Sequence, residues 1–434
     1  MNPGSSRFLI ACAVIVLFLN VFLLFYAIPH LSSRMGILYN QDKYADGYDE
    51  LATSLAHGDG YRFYPDTAPT LMREPGYPFL LAGIFRIFGN NLTAVKIVNL
   101  LLAFATAALL MKIAAKISGN PVVVFGSALL FLFHPGVLIA ESRGGVETLF
   151  TFCVVLFVLL LYRALETDSW LDYVACGCAL GLTVLVRSTL MLFPIIALAC
   201  LLVIFKRKLF PSTIKIGLTI ASMLLILSPW IIRNFQLTGK FVPTASVLGI
   251  SAHSGQYVCE NLTNENSRKD VDRRGAAERR RLAIELGLPF KDVQDAYYQY
   301  FYNTGDELRF SSFLMNRVTD KYKSSPDLFV SCASSNLFDF WFAGKTNNST
   351  KMNIALQIPY LLLAIGGFVV SWRKHQIQKV IVPIALIIYT IAVYAPILAQ
   401  ARYSVSVVPF VSVLACVALA HIFAMFGEKR PVFS

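Results

Sequence analysis

Apolar runs of about 18 residues or more recur along almost the whole chain, each long enough to cross a hydrocarbon core of roughly 30 Å as a helix. They fall near 8–28, 94–115, 120–139, 147–164, 171–187, 189–205, 213–232, 353–371, 379–397 and 404–425. Backbone polar groups in lipid must be satisfied within their own segment, so such a chain folds as an all-α polytopic membrane protein with about ten spans. Composition agrees: only 15% of residues are charged, against about 25% in soluble domains. The first run, Phe8 to Ile28, is too long for a signal-peptide core and lacks a small-residue cleavage site, so it reads as a retained anchor. Tyr77 to Phe88 is shorter, holds Arg86, and reads as a juxtamembrane helix.

With the N-terminus inside, the short inner loops carry Lys112, Lys116, Arg163, Lys206-Arg207-Lys208, Arg373-Lys374, Lys379 and Lys429-Arg430. That is the asymmetry the positive-inside rule requires. A net charge of +12 is thereby explained without nucleic acid, whose recognition needs basic charge clustered along a groove. Three regions follow: a transmembrane module at 1–232 with a first outer loop at 29–93, a large outer loop at 233–352, and C-terminal helices with a short tail at 353–434.

Arg73, Arg143, Arg187, Arg233 and Arg402 break the charge rule, because all map to the outer face. One arginine at a membrane boundary can snorkel to the headgroups. Several on the disfavoured face point to a shared anion, and guanidinium groups suit a phosphate through bidentate charge-assisted hydrogen bonds. Carboxylates fall on the same face. Asp42 and Asp49 read as solvated, whereas Asp46 and Glu147 lie where a loop meets a helix. Such a surface suits glycosyl transfer from a lipid phosphate: arginines stabilise the leaving charge and one carboxylate takes the acceptor's proton.

The segments that carry these residues resemble the bacterial GT-C glycosyltransferases, relatives of the protein O-mannosyltransferases and the lipid A aminoarabinose transferase. They are Asp46-Gly47-Tyr48, Gly58-Asp59-Gly60-Tyr61, the run Pro69 to Pro78 with Arg73-Glu74-Pro75-Gly76-Tyr77, Val146 to Phe150, Leu185 to Ser188, Pro229 to Asn234, and Arg402-Tyr403. The resemblance implies a GT-C-like helical bundle of about 10–12 transmembrane helices with outer-face loops. It implies Asp46 as general base and Glu147 as a second acid that orients the acceptor or a metal. Arg73, Arg187, Arg233 and Arg402 would hold the carrier phosphate, and Tyr48, Tyr77 and Tyr403 would position sugar or lipid. Many relatives have an acidic residue where Gly47 stands, so a ligand or second base at that position is missing here.

The large outer loop is expected to be a helical cap that closes over the site. Within it, Asp270 to Gly287 reads as a solvated helix on the membrane, although Arg279 falls inside its apolar stripe, and Asp306 to Tyr322 reads as a second helix. Cys259 and Cys332 could pair if this loop is in an oxidising compartment. His134 and His253 have no metal-ligand spacing. No cofactor is called for. A divalent cation between Asp46 and Glu147 is the one metal the residues could support. Partners are the bilayer, a polyprenyl-phosphate sugar, and a glycan, lipid or protein acceptor. The expected enzyme is an inverting transferase of the inner membrane with its site facing the periplasm. A transporter or flippase for an anionic lipid or glycan is the alternative, but it predicts repeats and broken helices at the membrane middle.

Overall fold

The structure, a computed structural model, describes residues 3–30, 45–203, 208–263, 266–293 and 296–427. Asp42, Lys206, Arg207, Lys429 and Arg430 lie outside them. The protein is a predominantly helical polytopic membrane protein, and each expected apolar run is helical over most of its described residues. Among the described residues, seven helices are long and apolar enough to span a membrane: Ala11–His30, Leu92–Ile117, Val146–Thr167, Leu209–Thr238, Asn347–Arg373, Ile377–Tyr394 and Ala401–Phe426.

The remaining runs depart from simple spans for local reasons. Residues 120–139 form two helices, Pro121–Leu132 and Pro135–Ser142, bent by 46°. Pro135 excludes helical geometry at His134, which is extended. The imidazole Nδ1 of His134 then caps the second helix by accepting from the Gly136 N–H at 3.1 Å. Trp170–Val186 and Ser188–Val203 are shorter apolar helices, parted at Arg187, whose backbone is extended. Other helix starts follow ordinary capping chemistry. Asn91 accepts from Thr93 N and Ala94 N, and Asn120 precedes Pro121 at the first helical position.

Without a solvophobic drive between helices in lipid, close backbone approach does much of the packing, and small residues permit it. A Cβ on Gly367 would stand 1.8 Å from the Leu414 carbonyl oxygen, and one on Gly177 would stand 2.3 Å from that of Thr219. These contacts lock Asn347–Arg373 to the last span and Trp170–Val186 to Leu209–Thr238.

One end of the bundle carries a cap with its own core. Leu51, Tyr61, Phe63 and Met72 from the first loop pack with Trp230, Ile250, Leu282, Tyr298, Phe301, Phe310 and Leu314. The first loop and the large loop thus make one body. A two-residue antiparallel ribbon pairs Phe290 with Phe301 and Lys291 with Tyr300. The second expected helix is Thr304–Ser324. The first is Arg268–Glu285, but it does not lie solvated on the membrane: its stripe is buried in the cap. Arg279 sits inside that stripe fully buried, donating to Ser254 Oγ at 2.9 Å and the Tyr297 carbonyl at 3.2 Å, with its guanidinium over the Tyr297 ring. Bonds to its two terminal nitrogens offset part of the cost of burying such a charge. A disulfide joins Cys259 to Cys332, tying Leu248–Asn261 to Pro326–Phe342.

Candidate active site

Asp46 sits in a short 3₁₀ turn with φ 74°, followed by Gly47 at φ 77°, just before the helix Tyr48–His57. Two successive left-handed residues aim the aspartate back toward the bundle. A Cβ on Gly47 would lie 2.9 Å from Phe63 Cε1. An acidic side chain in place of Gly47 would therefore need both strain and displacement.

Arg402 arrives from the turn before the last span, and its Nη1 donates to Asp46 Oδ2 at 2.6 Å. Burial alone would raise the Asp46 carboxyl, but Arg402 and then Arg73 outweigh it and hold the group well below the usual carboxylate range. Arg73 Nε donates to the Asp46 carbonyl at 3.2 Å, its Nη2 donates to the Tyr298 hydroxyl, and its guanidinium lies over the Tyr48 and Tyr298 rings. Glu147 opens the helix Val146–Thr167. Its Oε1 stands 3.8 Å from Arg187 Nη2 and 3.9 Å from Arg402 Nη1, and accepts no hydrogen bond among the described residues.

Two cavities flank this cluster. The larger, about 330 Å³, is lined by Tyr48, Arg73, Glu74, Arg187, Tyr394 and Tyr403, with apolar Leu192 and Leu248 among its other walls. Both leucines are exposed on the surface. Tyr403 stacks on Tyr394 at 4.5 Å, and the Arg187 guanidinium stands 4.8 Å over the Tyr403 ring. The smaller cavity, about 110 Å³, is lined by Arg143, Glu147, Arg268, Lys345, Gln357 and Arg402 among others. The partition between them is the Arg187–Glu147 contact together with the neighbouring pair Arg402-Tyr403.

The expected site residues therefore separate. Asp46, Tyr48, Arg73, Glu147, Arg187, Arg402 and Tyr403 converge. Tyr77 is fully buried beside Tyr48 and spends its hydroxyl on the Gly144 carbonyl, bracing the turn before Glu147. Arg233 is not brought to the cluster: it donates to the Thr70 carbonyl at 3.1 Å and to Asn234 Oδ1 at 2.9 Å, over the Trp230 and Tyr61 rings. Guanidinium groups stand beside both Asp46 and Glu147, and no cluster of three or more His, Cys, Asp or Glu suited to a metal occurs among the described residues.

Residues that the sequence did not single out complete the walls. Buried Glu74 accepts from Ser188 N at 3.1 Å, pinning the break where Arg187 stands. Tyr298 holds Arg73. Lys345 follows a backbone bond from Ala401 N to the Ala343 carbonyl, which brings its loop beside Arg402. Only Glu74 had a local signal, its place in the Arg73-to-Tyr77 motif.

Residues 69–232 match the family model of dolichyl-phosphate-mannose-protein mannosyltransferase. That stretch contains Arg73, Tyr77, Glu147 and Arg187. Among solved structures, the crystal structure of ArnT from Cupriavidus metallidurans bound to undecaprenyl phosphate is similar at 13% identity and a TM-score of 0.45, covering 99% of this chain and 81% of that one. The apo ArnT structure from the same organism gives 14% identity and a TM-score of 0.39, covering 98% and 80%. No curated protein matches the chain. Over residues 69–232 the chain is similar to the dolichyl-phosphate-mannose-protein mannosyltransferases.

Proposed function

We propose that the protein transfers a sugar from a polyprenyl-phosphate carrier to a cell-envelope acceptor, a lipopolysaccharide component, glycan or protein. The capped face is read as the periplasmic side of the inner membrane. One observation carries the reading: two cavities meet at a partition made of Arg187, Glu147, Arg402 and Tyr403.

The larger cavity suits the donor. Leu192 and Leu248 offer an apolar side to the prenyl chain, Arg73 and Arg187 offer cations to its phosphate, and Tyr48, Tyr394 and Tyr403 offer ring faces to the sugar. The smaller, more polar cavity suits the acceptor. Reaction is direct displacement: the acceptor oxygen bonds to the anomeric carbon as the bond to the phosphate oxygen breaks, inverting the centre. The electron pair leaves with the polyprenyl phosphate, whose charge the arginines stabilise. Asp46 takes the acceptor's proton, and Glu147 orients the hydroxyl.

The test supplies labelled polyprenyl-phosphate sugars to membranes lacking the protein and to membranes containing it, wild type or Asp46→Asn. Transfer by wild type alone, at equal protein level, supports the reading. Absence of product with any donor, while labelled lipid changes leaflet, would replace it with a flippase.

A further inference from the structure

Glu307 lies in the cap, fully enclosed, and its carboxylate accepts from three donors. These are Thr70 Oγ1 at 2.5 Å, Leu71 N at 3.0 Å and the Ser246 hydroxyl. Two of the three belong to the strip just before Arg73. On the other side of the same peptide, Arg233 Nη2 donates to the Thr70 carbonyl. Arg233 also stands 5.1 Å from the centre of the Tyr61 ring. The Tyr61 hydroxyl in turn donates to the Arg73 carbonyl at 2.9 Å and the Glu74 carbonyl at 3.2 Å. Ser246 N reaches the Leu71 carbonyl at 2.7 Å, and Thr304 Oγ1 reaches that of Pro69 at 2.6 Å.

Residues 69–74 are therefore an irregular strand of backbone whose polar groups are met almost one by one from the cap and from the end of the span Leu209–Thr238. Irregular backbone has no repeating bonds to hold it, so these side chains set where Arg73 and Glu74 stand. A charged, buried acceptor with three donors is a costly device for stability alone. Its effect is positional: a shift of about 1 Å in a phosphate-holding guanidinium is enough to lose most of its effect.

We propose that Glu307 and Arg233 are positioning residues that clamp the Thr70 peptide and so fix Arg73 against the donor phosphate. This assigns Arg233 to the strip rather than to the phosphate, and it rests on the reading of Arg73 as a phosphate ligand. Glu307 has two ways to fail as a clamp that differ in kind, by acting elsewhere or by merely supporting the fold.

A double-mutant cycle on the purified full chain in detergent separates them, with undecaprenyl phosphate as the probe and its affinity as the readout. Arg73→Ala is expected to weaken binding about tenfold, as loss of one charge-assisted contact does. Glu307→Gln is expected to weaken it about three- to fivefold in the wild-type background but less than twofold in the Arg73→Ala background. Equal fold losses in both backgrounds overturn the clamp. Binding unchanged by Arg73→Ala overturns the reading of the site, and the clamp with it. Thr70→Val removes one bond to Glu307 and the acceptor of Met72 N, both within the same strip, and runs the same cycle if Glu307→Gln does not fold. Arg233→Lys keeps the charge but loses the fork, and is expected to follow Glu307→Gln in both backgrounds.

Discussion

Asp46 and Arg402 share a hydrogen bond of 2.6 Å in which one oxygen of the aspartate is spent on one nitrogen of the arginine. Burial pushes the Asp46 carboxyl up while Arg402 and Arg73 pull it down further, so the charged form is held well below the ordinary range. A depressed carboxylate contributes stability that is present above its unfolded pKa and lost as pH falls through the folded value. Wild-type transfer should therefore show no acid limb from Asp46 near the ordinary carboxylate pKa of about 4. In Arg402→Gln, burial is less opposed, so residual activity should fall away at higher pH than in wild type. Transfer rates measured from about pH 4 to pH 8 decide it; an unmoved limb would show that Arg402 does not govern this group.

Asp46→Asn and Glu147→Gln should differ in kind. Loss of the general base is expected to cut kcat by about 10²–10⁴. Loss of an orienting carboxylate should act mainly on the acceptor, raising its KM with a smaller fall in kcat. Steady-state kinetics with the acceptor varied at saturating donor would separate them, and the reverse pattern would exchange the two roles.

The cap is seated by close backbone contact. A Cβ on Gly255 would stand 1.8 Å from the Ile397 carbonyl oxygen. Backbone cannot give way as a flexible side chain does, so Gly255→Ala should cost roughly 1–3 kcal/mol or more and loosen Leu248–Asn261 from the turn that leads to Arg402. Limited proteolysis should then cut the cap faster while the membrane helices stay protected. A variant as resistant as wild type would mean that the helix shifts without cost.

The disulfide closes a separation of 73 residues. Replacing both Cys259 and Cys332 by serine should destabilise the cap by about 2–4 kcal/mol. Thermal unfolding of purified protein, with and without reductant, measures this. The double variant should be insensitive to reductant and melt near reduced wild type.

Much of the architecture was legible because membranes demand long apolar helices. The ten apolar runs all appear as helices, with ends shifted by a few residues. What the runs hid was the break inside 120–139, where the helices on either side of His134-Pro135 are bent by 46°. It is a local feature, a proline, whose effect depends on the neighbouring helices.

The converging residues were legible in a different way. Arg73, Arg187 and Arg402 stood out because basic charge on that face contradicts the loop-charge asymmetry, and Asp46 and Glu147 because each lies where a loop meets a helix on the same face. Arg233 stood out by the same rule and is turned to the Thr70 strip instead, since the rule reports a face and not a direction. Glu307 was one carboxylate among many in a polar loop, and its contacts with Thr70 and Leu71 reach across more than 200 positions of the chain. Arg279 looked like a flaw in an amphipathic pattern. Its partners, Ser254 and Tyr297, come from other parts of the cap, so no helical period could reveal why an arginine belongs there.

The two halves of the Asp46–Arg402 pair stand 356 positions apart in the chain. Synthesis runs from the N-terminus, and early segments fold before late ones exist. The aspartate is thus delivered among the first segments and waits through the insertion of nearly every later helix for its counter-charge. A chain arrested before residue 402 would hold most of its spans and much of its cap, yet its key carboxylate would lack the cation that sets its charge. The pairing of this aspartate with Arg402 is therefore among the last contacts of the bundle to form.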